Sequence, residues 1–289
     1  MFLQFIINGF ITGILYSLSA IGFALVYNTT RIFHIAAAAL YVIAAYALYF
    51  AYNTMELGLP LAMSFAVLVT VLFSMATEWV VYRPLYKKKS SLNVVMISSI
   101  GLMTVLVNLV AMLFGNETKV IDNSIQSTYT WGEIIITTPQ MIQMLTGLTA
   151  IIGFMFLLKF SKIGLQARAL SCNDTLFRTM GYSVKNVRLK VFALSGAFLA
   201  LASSLTVYDI GLDPHMGMNV LINAMVAMII GGIGRLNACV VGGLVLGLLQ
   251  AFVVCVWDSN WQNAITFSVL IVFLLKRPQG FFGYKRRLV

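Results

Sequence analysis

The chain has 289 residues, of which 60% are hydrophobic and 10% are charged, and its formal net charge is +10. A mean hydropathy of +0.93 is more than a soluble domain of this length needs for its core, and it indicates an integral membrane protein. Positive charge of this size in a soluble protein would favour nucleic acid as a partner. A chain without a soluble basic face has no surface for that role.

Apolar runs of about 20 residues, the length needed to cross the hydrocarbon of a bilayer, recur along the chain. Two of them, the seventh and the ninth, are short, so the sequence predicts eight or nine spans, with the hairpin around Arg235 deciding the number. The first span follows no basic segment or cleavage site of the secretory kind, and we expect it to be retained. The predicted runs are 5–27, 34–52, 59–81, 92–115, 139–159, 188–208, 219–234, 238–257 and 261–276.

Basic and acidic residues alternate between the connections of these runs. Apart from Lys119, the 19 Lys and Arg residues lie in every second connection. The positive-inside rule therefore places the N-terminus outside and the C-terminus in the cytoplasm, which favours an odd number of spans. Seven of the nine acids lie in the other connections: Glu56, Glu117, Asp122, Glu133, Asp209, Asp213 and Asp258.

The connection 161–187 is basic and partly polar, and it is too long and polar to lie in lipid. Asn173 can cap the N-terminus of a short helix, Asp174 complements the positive end of its dipole, and Gly181 can end it. A short capped helix held outside the bilayer gives another protein a surface to push. The membrane half of an ATP-driven transporter has this arrangement.

Small residues recur at helical spacing. Gly9 with Gly13, and Gly243 with Gly247, form two Gly-x-x-x-Gly patterns, which allow helices to approach closely in lipid. The connection 116–138 is acidic and rich in hydroxyl side chains, and it is either a partly ordered flap or a solvated connection. The three cysteines, Cys172, Cys239 and Cys255, have no paired spacing, so we expect free thiols.

Chemistry for catalysis or for independent energy coupling is missing from the sequence. There is no phosphate-binding Gly-x-x-x-x-Gly-Lys-Ser/Thr loop, and the middle of the spans lacks the acids that proton- or sodium-coupled carriers use. Glu78 lies near the inner end of its span, where it can pair with Arg83. His34 and His215 are predicted on opposite sides of the membrane, so they cannot share a metal ion. We expect neither an enzyme nor a metalloprotein.

Five sequence elements, in order, resemble the permease subunits of the branched-chain amino acid type of ABC importer over nearly the whole chain. They are Asn8-Gly9 with Tyr16-Ser17-Leu18 and Thr30-Arg31-Ile32; Glu78 with Tyr82-Arg83-Pro84; Gly164, Arg168-Ala169, Asn173 and Met180-Gly181; Gly231-Gly232-Ile233-Gly234 with Gly242-Gly243; and Arg277-Pro278-Gln279-Gly280-Phe281-Phe282-Gly283.

The resemblance implies an all-α fold: a polytopic transmembrane helical bundle of about eight or nine spans, with a short cytoplasmic coupling helix. It implies one permease domain, 1–289, that contains the ATPase-coupling loop 161–187. The implied partners are a second permease subunit, two cytoplasmic ATPase subunits that bind ATP and magnesium, and a periplasmic or extracellular substrate-binding protein. This chain then needs no cofactor of its own and lies in the bacterial inner membrane.

The resemblance also implies roles for individual residues. The ATPase-coupling residues are Gly164, Arg168, Ala169, Asn173 and Gly181. Polar side chains in the spans are candidates for the substrate path, and the predicted set is Tyr16, Ser17, His34 and Asn223. Further polar candidates, which can equally bridge helices, are Asn8, Asn108, Ser195, Ser203, Ser204 and Asn219.

The chain departs from the family pattern where the solute would pass. His34-Ile35-Ala36-Ala37-Ala38 stands where the family usually has Asn-Phe-Ala-His-Gly. Asn223 replaces a usual Lys, and Asn237-Ala238 replaces a usual Pro-Gly. The expected cargo is a small solute without net charge, either a branched-chain or other hydrophobic amino acid or, within the family, urea or a short amide. The alternative from another class is a self-sufficient secondary carrier or channel for a small neutral solute.

Overall fold

The computed structural model describes residues 2–122, 127–131, 134–277 and 280–282, and it is largely helical. In chain order the helices are α1 (Phe2–Thr30), α2 (Ala37–Thr54), α3 (Leu59–Lys87), α4 (Leu92–Phe114), α5 (Thr138–Phe160), α6 (Lys162–Cys172), α7 (Asp174–Thr179), α8 (Val184–Ile210), α9 (Met216–Gly231), α10 (Ala238–Val256) and α11 (Gln262–Lys276). Strands β1 (Thr128–Trp131) and β2 (Ile134–Thr137) form an antiparallel hairpin before α5.

Nine of these helices run between the two ends of one bundle. We name them the acidic end, which carries Glu56, Asp209 and Asp258, and the basic end, which carries Arg31 and Lys87–Lys89. Seven of the nine are individually long and apolar enough to cross a membrane. The two shorter ones, α9 and α11, also start at the acidic end and reach the basic end. The predicted fold class is confirmed, whereas the predicted number of spans, eight or nine, stays a prediction.

The helices divide into a centre and a periphery. In α1, α2 and α8, 78%, 72% and 67% of the most apolar stretch is buried inside the protein, whereas the corresponding share is 28% or less in α3, α4 and α5. The outward faces of these peripheral helices are apolar, with Leu68, Val105 and Phe156 among the exposed side chains. Outward apolar faces suit a hydrocarbon solvent, in which the hydrophobic effect gives no reason to turn them inward.

The two predicted Gly-x-x-x-Gly patterns meet each other. A Cβ atom on Gly247 would lie 2.4 Å from the backbone nitrogen of Gly13, and one on Gly13 would lie 2.9 Å from the Cα of Leu244. One turn along, the hydroxyl of Ser17 donates to the backbone oxygen of Val240 at 2.9 Å. Helices α1 and α10 therefore cross with their backbones in contact, which only glycine on both helices permits.

A buried ion pair joins α3 to α8. The Arg188 guanidinium donates through Nε to Glu78 Oε1 at 2.8 Å and through Nη2 to Glu78 Oε2 at 3.0 Å, and both side chains are 4% exposed. Glu78 opens a π-helical turn of α3, Glu78–Tyr82, in which the side chains of Glu78 and Tyr82 are buried. The bidentate partner of Glu78 comes from a helix 110 residues along the chain, and the predicted partner Arg83 adds only a weaker Coulomb attraction.

At the acidic end, part of the connection 116–138 is ordered against the bundle. The amide of Gln4 bonds the backbone of Ile135 in both directions, each at 2.9 Å, and so pairs α1 with strand β2. Lys119 and Leu212 exchange two backbone hydrogen bonds of 2.8 Å. The described part of this segment therefore matches the flap interpretation; Asn123–Gln126 and Gly132–Glu133 lie outside the described residues.

At the basic end, the connection 161–187 holds one helix more than predicted. Ser161 caps α6 by accepting a hydrogen bond from the nitrogen of Gly164 at 3.0 Å. Gly164, Ala167 and Leu170 form the buried face of that helix, a three-residue spacing that the sequence already contained. The closing motif packs nearby, since Phe281 donates its backbone N–H to Ile230; its residues Pro278, Gln279 and Gly283 are not among those described.

We expect Gly247→Ala to lower the melting temperature of the purified protein by several degrees, because its methyl group would force α10 away from α1. The matched control is Gly101→Ala on the peripheral helix α4, where a Cβ has no neighbour within 4 Å and alanine favours the helix. Thermal unfolding in detergent compares the two variants. Equal melting temperatures would show that the seam between α1 and α10 does not limit stability.

Candidate functional site

A polar cavity of about 420 Å³ opens at the acidic end of the bundle. It starts between the first turns of α5, α9 and α11 and the last turn of α8, and it runs inward to Tyr16 on α1 and Gln250 on α10. Its volume lies in the range of small-molecule sites. Its lining comprises Asn8, Ile11, Thr12, Leu15, Tyr16, Ser19, Tyr41, Gln140, Gln143, Thr206, Asp209, Ile210, Met216, Asn219, Val220, Asn223, Gln250, Gln262 and Asn263.

The inner end of the cavity is a hydrogen-bonded amide cluster centred on Gln250. Its Oε1 accepts from the Tyr16 hydroxyl at 2.7 Å, and its Nε2 donates to Thr266 Oγ1 at 2.6 Å and to Asn223 Oδ1 at 3.4 Å. Gln250, Asn223 and Thr266 are all buried. Because the oxygen of Asn223 faces Gln250, its NH₂ group is left to offer donors to the cavity.

The lining of the cavity is mixed in character. Ile11, Leu15 and Val220 contribute aliphatic surface. Gln143 contributes polar surface, and its Nε2 donates to the backbone oxygen of Leu205 at 2.9 Å and to Asp209 Oδ2 at 3.2 Å. Among the described lining residues, Asp209 has the one side chain that is charged when ionised near neutral pH. The cavity therefore suits an amphiphilic solute.

The structure brings together two of the four predicted path residues, Tyr16 and Asn223, but not the other two. The Ser17 hydroxyl points to α10, where it lies 2.9 Å from the backbone oxygen of Val240, and it also lies 2.7 Å from the oxygen of Gly13 in its own helix. His34 lies fully buried at the basic end, with Nδ1 2.8 Å from the Tyr82 hydroxyl. Ser17 and His34 thus pack helices together in this structure, and His34 is closed to solvent.

The further polar candidates divide in the same way. Asn8 and Asn219 line the cavity. Asn108 faces outward on α4, where its amide bonds the backbone of its own helix. Ser195 and Ser203 bond the backbone of α1 and α2, at Gly22 and Tyr41. Serine hydroxyls at such positions join helices and do not form a path.

Sequence reasoning missed Gln143, Asp209 and Gln250, all of which line the cavity. A usable signal was present for Gln143 and Gln250, since each is an amide inside an otherwise apolar run. The predicted absence of paired cysteines is confirmed: Cys172, Cys239 and Cys255 are free thiols. Among the described residues, no three His, Cys, Asp or Glu side chains come together as a metal site.

At the basic end, the short helix α7 has the predicted caps. Asn173 Oδ1 accepts from the nitrogen of Leu176 at 3.1 Å, and Asp174 lies in the first turn. Gly181 ends the helix with φ +80°, a left-handed conformation that glycine adopts without strain. Of the predicted coupling residues, Arg168, Ala169, Asn173 and Gly181 are exposed at this end, whereas Gly164 is buried against α5.

Side-chain contacts connect α7 to the buried ion pair. Asp174 accepts from the Tyr86 hydroxyl of α3 at 3.0 Å and pairs with Arg178 at 2.8 Å; Arg178 also contacts that hydroxyl. The Arg188 guanidinium carbon lies 4.5 Å from the centre of the Tyr86 ring, within cation–π distance. Tyr86 therefore contacts both the short helix and the arginine that binds Glu78.

Comparison with known proteins identifies the family. The family model described as a branched-chain amino acid transport system / permease component matches residues 5–274. The high-affinity branched-chain amino acid transport system permease protein BraD of Pseudomonas aeruginosa is 28% identical, covering 98% of this chain and 96% of its own. The corresponding protein LivH of Escherichia coli K12 is 26% identical over the same shares.

A solved structure supports the fold independently. The structure described as PsaBC from Streptococcus pneumoniae in complex with Fab aligns with a TM-score of 0.55, at 14% sequence identity, over 96% of this chain and 97% of that one. At this identity the likeness concerns the fold alone. The family match covers most of the chain and agrees with the bundle, and the chain belongs to the family of branched-chain amino acid transport permeases.

Proposed function

We propose that this chain is the membrane-spanning permease subunit of an ATP-driven importer for branched-chain or other hydrophobic amino acids. The observation that carries the proposal is the pairing of two features on one bundle: a polar cavity open at the acidic end, and a capped helix exposed at the basic end. The first can receive a solute, and the second can receive force from a partner. In this proposal the bundle forms the path for the solute, and the partner subunits hydrolyse ATP.

The orientation in the membrane follows from charge. The basic end carries Arg31, Lys87–Lys89 and Lys162, so it faces the cytoplasm by the positive-inside rule. The N-terminus then lies outside and the C-terminus inside, with the chain in the bacterial inner membrane. The cavity opens toward the side from which a binding protein would deliver solute, and α7 faces the side on which ATPase subunits bind ATP and magnesium.

Exposed apolar side chains surround α7 and support its role as the ATPase contact. Leu176, Met180 and Tyr182 are 57%, 71% and 52% exposed, in a segment that lies outside the long apolar helices. Unlike the lipid-facing residues of the spans, these side chains face water unless a protein covers them. We assign Gly164, Arg168, Ala169, Asn173 and Gly181 to the framework that presents this surface to an ATPase subunit.

The contacts of Tyr86 offer a route for the force. A displacement of α7 moves Asp174 and Arg178, both of which contact the Tyr86 hydroxyl, and Tyr86 stacks on Arg188. Because Arg188 is fixed to Glu78, the displacement reaches α3 and α8 together. Helix α8 ends at the cavity with Asp209, so the route connects the two ends of the bundle.

The amphiphilic lining of the cavity favours an amino acid with an apolar side chain over urea or a short amide. Ile11, Leu15 and Val220 can contact an aliphatic side chain, which urea lacks. Tyr16 and Asn223 stay in the proposed path. By the family resemblance, a second permease subunit, two ATPase subunits and a binding protein complete the transporter; a self-sufficient carrier or channel remains the competing function.

Vesicles containing the assembled transporter distinguish these functions. We expect uptake of radiolabelled leucine to require ATP on the side of α7 and to persist when an ionophore collapses the proton and sodium gradients. The control is the same complex with vanadate, which should stop uptake. Uptake that follows an ion gradient without ATP would establish a secondary carrier, and passive ATP-independent flux would establish a channel.

Gly181→Val should reduce ATP-driven transport at least about tenfold while leaving membrane insertion intact, because valine resists the left-handed conformation that ends α7. A Cβ atom on Gly181 would meet nothing within 4 Å, so the variant tests the backbone conformation. The matched control is Gly181→Asn, which adds a side chain of similar size but tolerates that conformation. Equal transport by the two variants, with the ATPase still bound, would contradict the assignment of α7.

Tyr86→Ala should lower the number of solutes transported per ATP by roughly tenfold, because it removes a hydrogen bond to Asp174 and a cation–π contact with Arg188. Tyr86→Phe keeps the ring on Arg188 and should have a smaller effect. Trp79→Ala, an outward-facing residue on the same helix, serves as the control. A parallel fall in hydrolysis and transport in Tyr86→Ala would mean lost assembly and would rule out the route through Tyr86.

A further inference from the structure

We infer that Asp209 selects the charge of the solute, so that the cavity accepts compounds bearing an ammonium group and repels net anions. This inference rests on the proposed import function and adds the chemistry of the solute head group. It depends on where the carboxylate lies, on what holds it there, and on the absence of a compensating cation among the described lining residues.

Asp209 lies at a position where an acidic side chain lowers the stability of its helix. It is the penultimate residue of α8, which ends at Ile210, so its negative charge lies at the negative end of the helix dipole. Acidic residues are destabilising at that position, where basic residues are preferred. The helix terminus and the carboxylate thus add their negative potential at the same mouth of the cavity.

The carboxylate is held in position and remains accessible. Gln143, which is buried, donates to Oδ2 at 3.2 Å and is itself fixed by Leu205. Among the described residues no hydrogen bond reaches Oδ1, and Asp209 is exposed at the cavity. Lys119 is not among the residues that line the cavity, and its Nζ lies 5.2 Å from the ring centre of Tyr49.

The remaining lining completes a site for an amphiphilic zwitterion. Aliphatic side chains of Ile11, Leu15 and Val220 contact an apolar side chain, and the NH₂ group of Asn223, oriented by Gln250, offers a donor for an acceptor group deeper in the cavity. A net anion meets the Asp209 carboxylate first, without a cation to offset it. The fitting class is therefore the α-amino acid with an apolar side chain, and the deaminated acid is excluded.

The test measures the electrostatic field of the cavity without a binding protein. The assembled complex in nanodiscs carries Asn219→Cys as a reporter in the cavity, with Cys172, Cys239 and Cys255 replaced by alanine. The reaction rates of a cationic trimethylammonium-ethyl and an anionic sulfonatoethyl methanethiosulfonate are compared. When Asp209→Asn is added to the reporter protein, we expect the ratio of the cationic to the anionic reaction rate to fall roughly tenfold. Coulomb's law gives this change for the loss of one charge about 6 Å from the reporter in a water-like dielectric, because the cation and the anion are affected in opposite directions.

Two control variants make this result specific. Asp209→Glu keeps the charge and should keep most of the ratio. Asp213→Asn removes a neighbouring acid that does not line the cavity and whose oxygen bonds the backbone of His215, and it should leave the ratio unchanged. An unchanged ratio in Asp209→Asn, an equal fall in Asp213→Asn, or a reporter cysteine that reacts with neither reagent would overturn the inference.

Protection of the reporter identifies the solute class. Leucine should slow the labelling of the reporter more than 4-methylpentanoate, its analogue without the ammonium group, and Asp209→Asn should remove the difference. Equal or absent protection by the two compounds would overturn the ammonium requirement. Because these readouts need no ATP, failure of ATP-driven uptake with a normal rate ratio would count against the import function alone.

Discussion

The bidentate contact between Glu78 and Arg188 is the constraint on which the basic half of the bundle depends. A buried carboxylate or guanidinium without its partner carries a desolvation penalty of several kcal/mol, so neither group can leave the other while the helices stay packed. This fixes α3 against α8 at one height and one rotation. The Tyr86 ring packs on the Arg188 guanidinium that this ion pair holds in place. The short helix α7 contacts Tyr86, so its position is also tied to the ion pair. The polar contacts of that end are thus ordered around one pair of charges.

Helix α1 shows how one apolar sequence serves two different surfaces. Gly9, Gly13 and Ser17, spaced by four residues, lie on the stripe that meets α10 backbone to backbone. Asn8, Thr12 and Tyr16 have the same spacing one residue earlier, and they line the cavity. Because successive residues of a helix are 100° apart, the two stripes run side by side. Close packing on one stripe holds the neighbouring polar stripe at the edge of an open space.

The features that the sequence predicted are those that depend on local order. The apolar runs, the facing Gly-x-x-x-Gly patterns and the caps of α7 at Asn173 and Gly181 are all properties of short segments. What failed depended on distant contacts: the partner of Glu78 is 110 residues away, and the amide cluster joins α1, α9, α10 and α11. The polarity of Ser17 and His34 could not tell which neighbouring helix would accept their hydrogen bonds. Asp209 was visible as an acid of an outer connection, but only the fold turned it toward the cavity.

The three described residues at the end of the chain have a bearing on the order of biosynthesis. Phe281 and Phe282 donate their backbone N–H groups to the oxygens of Ile230 and Gly231, and Gly280 is close enough to α9 that a Cβ would lie 2.4 Å from the oxygen of Ile229. The last carbonyls of α9 thus receive their partners from a segment synthesised some fifty residues later. Until the residues after α11 have been synthesised, the backbone oxygens of Ile230 and Gly231 at the end of α9 lack these hydrogen-bond donors. The end of this helix can therefore be completed only after residues 280–282 have been synthesised, which makes it a late step of folding.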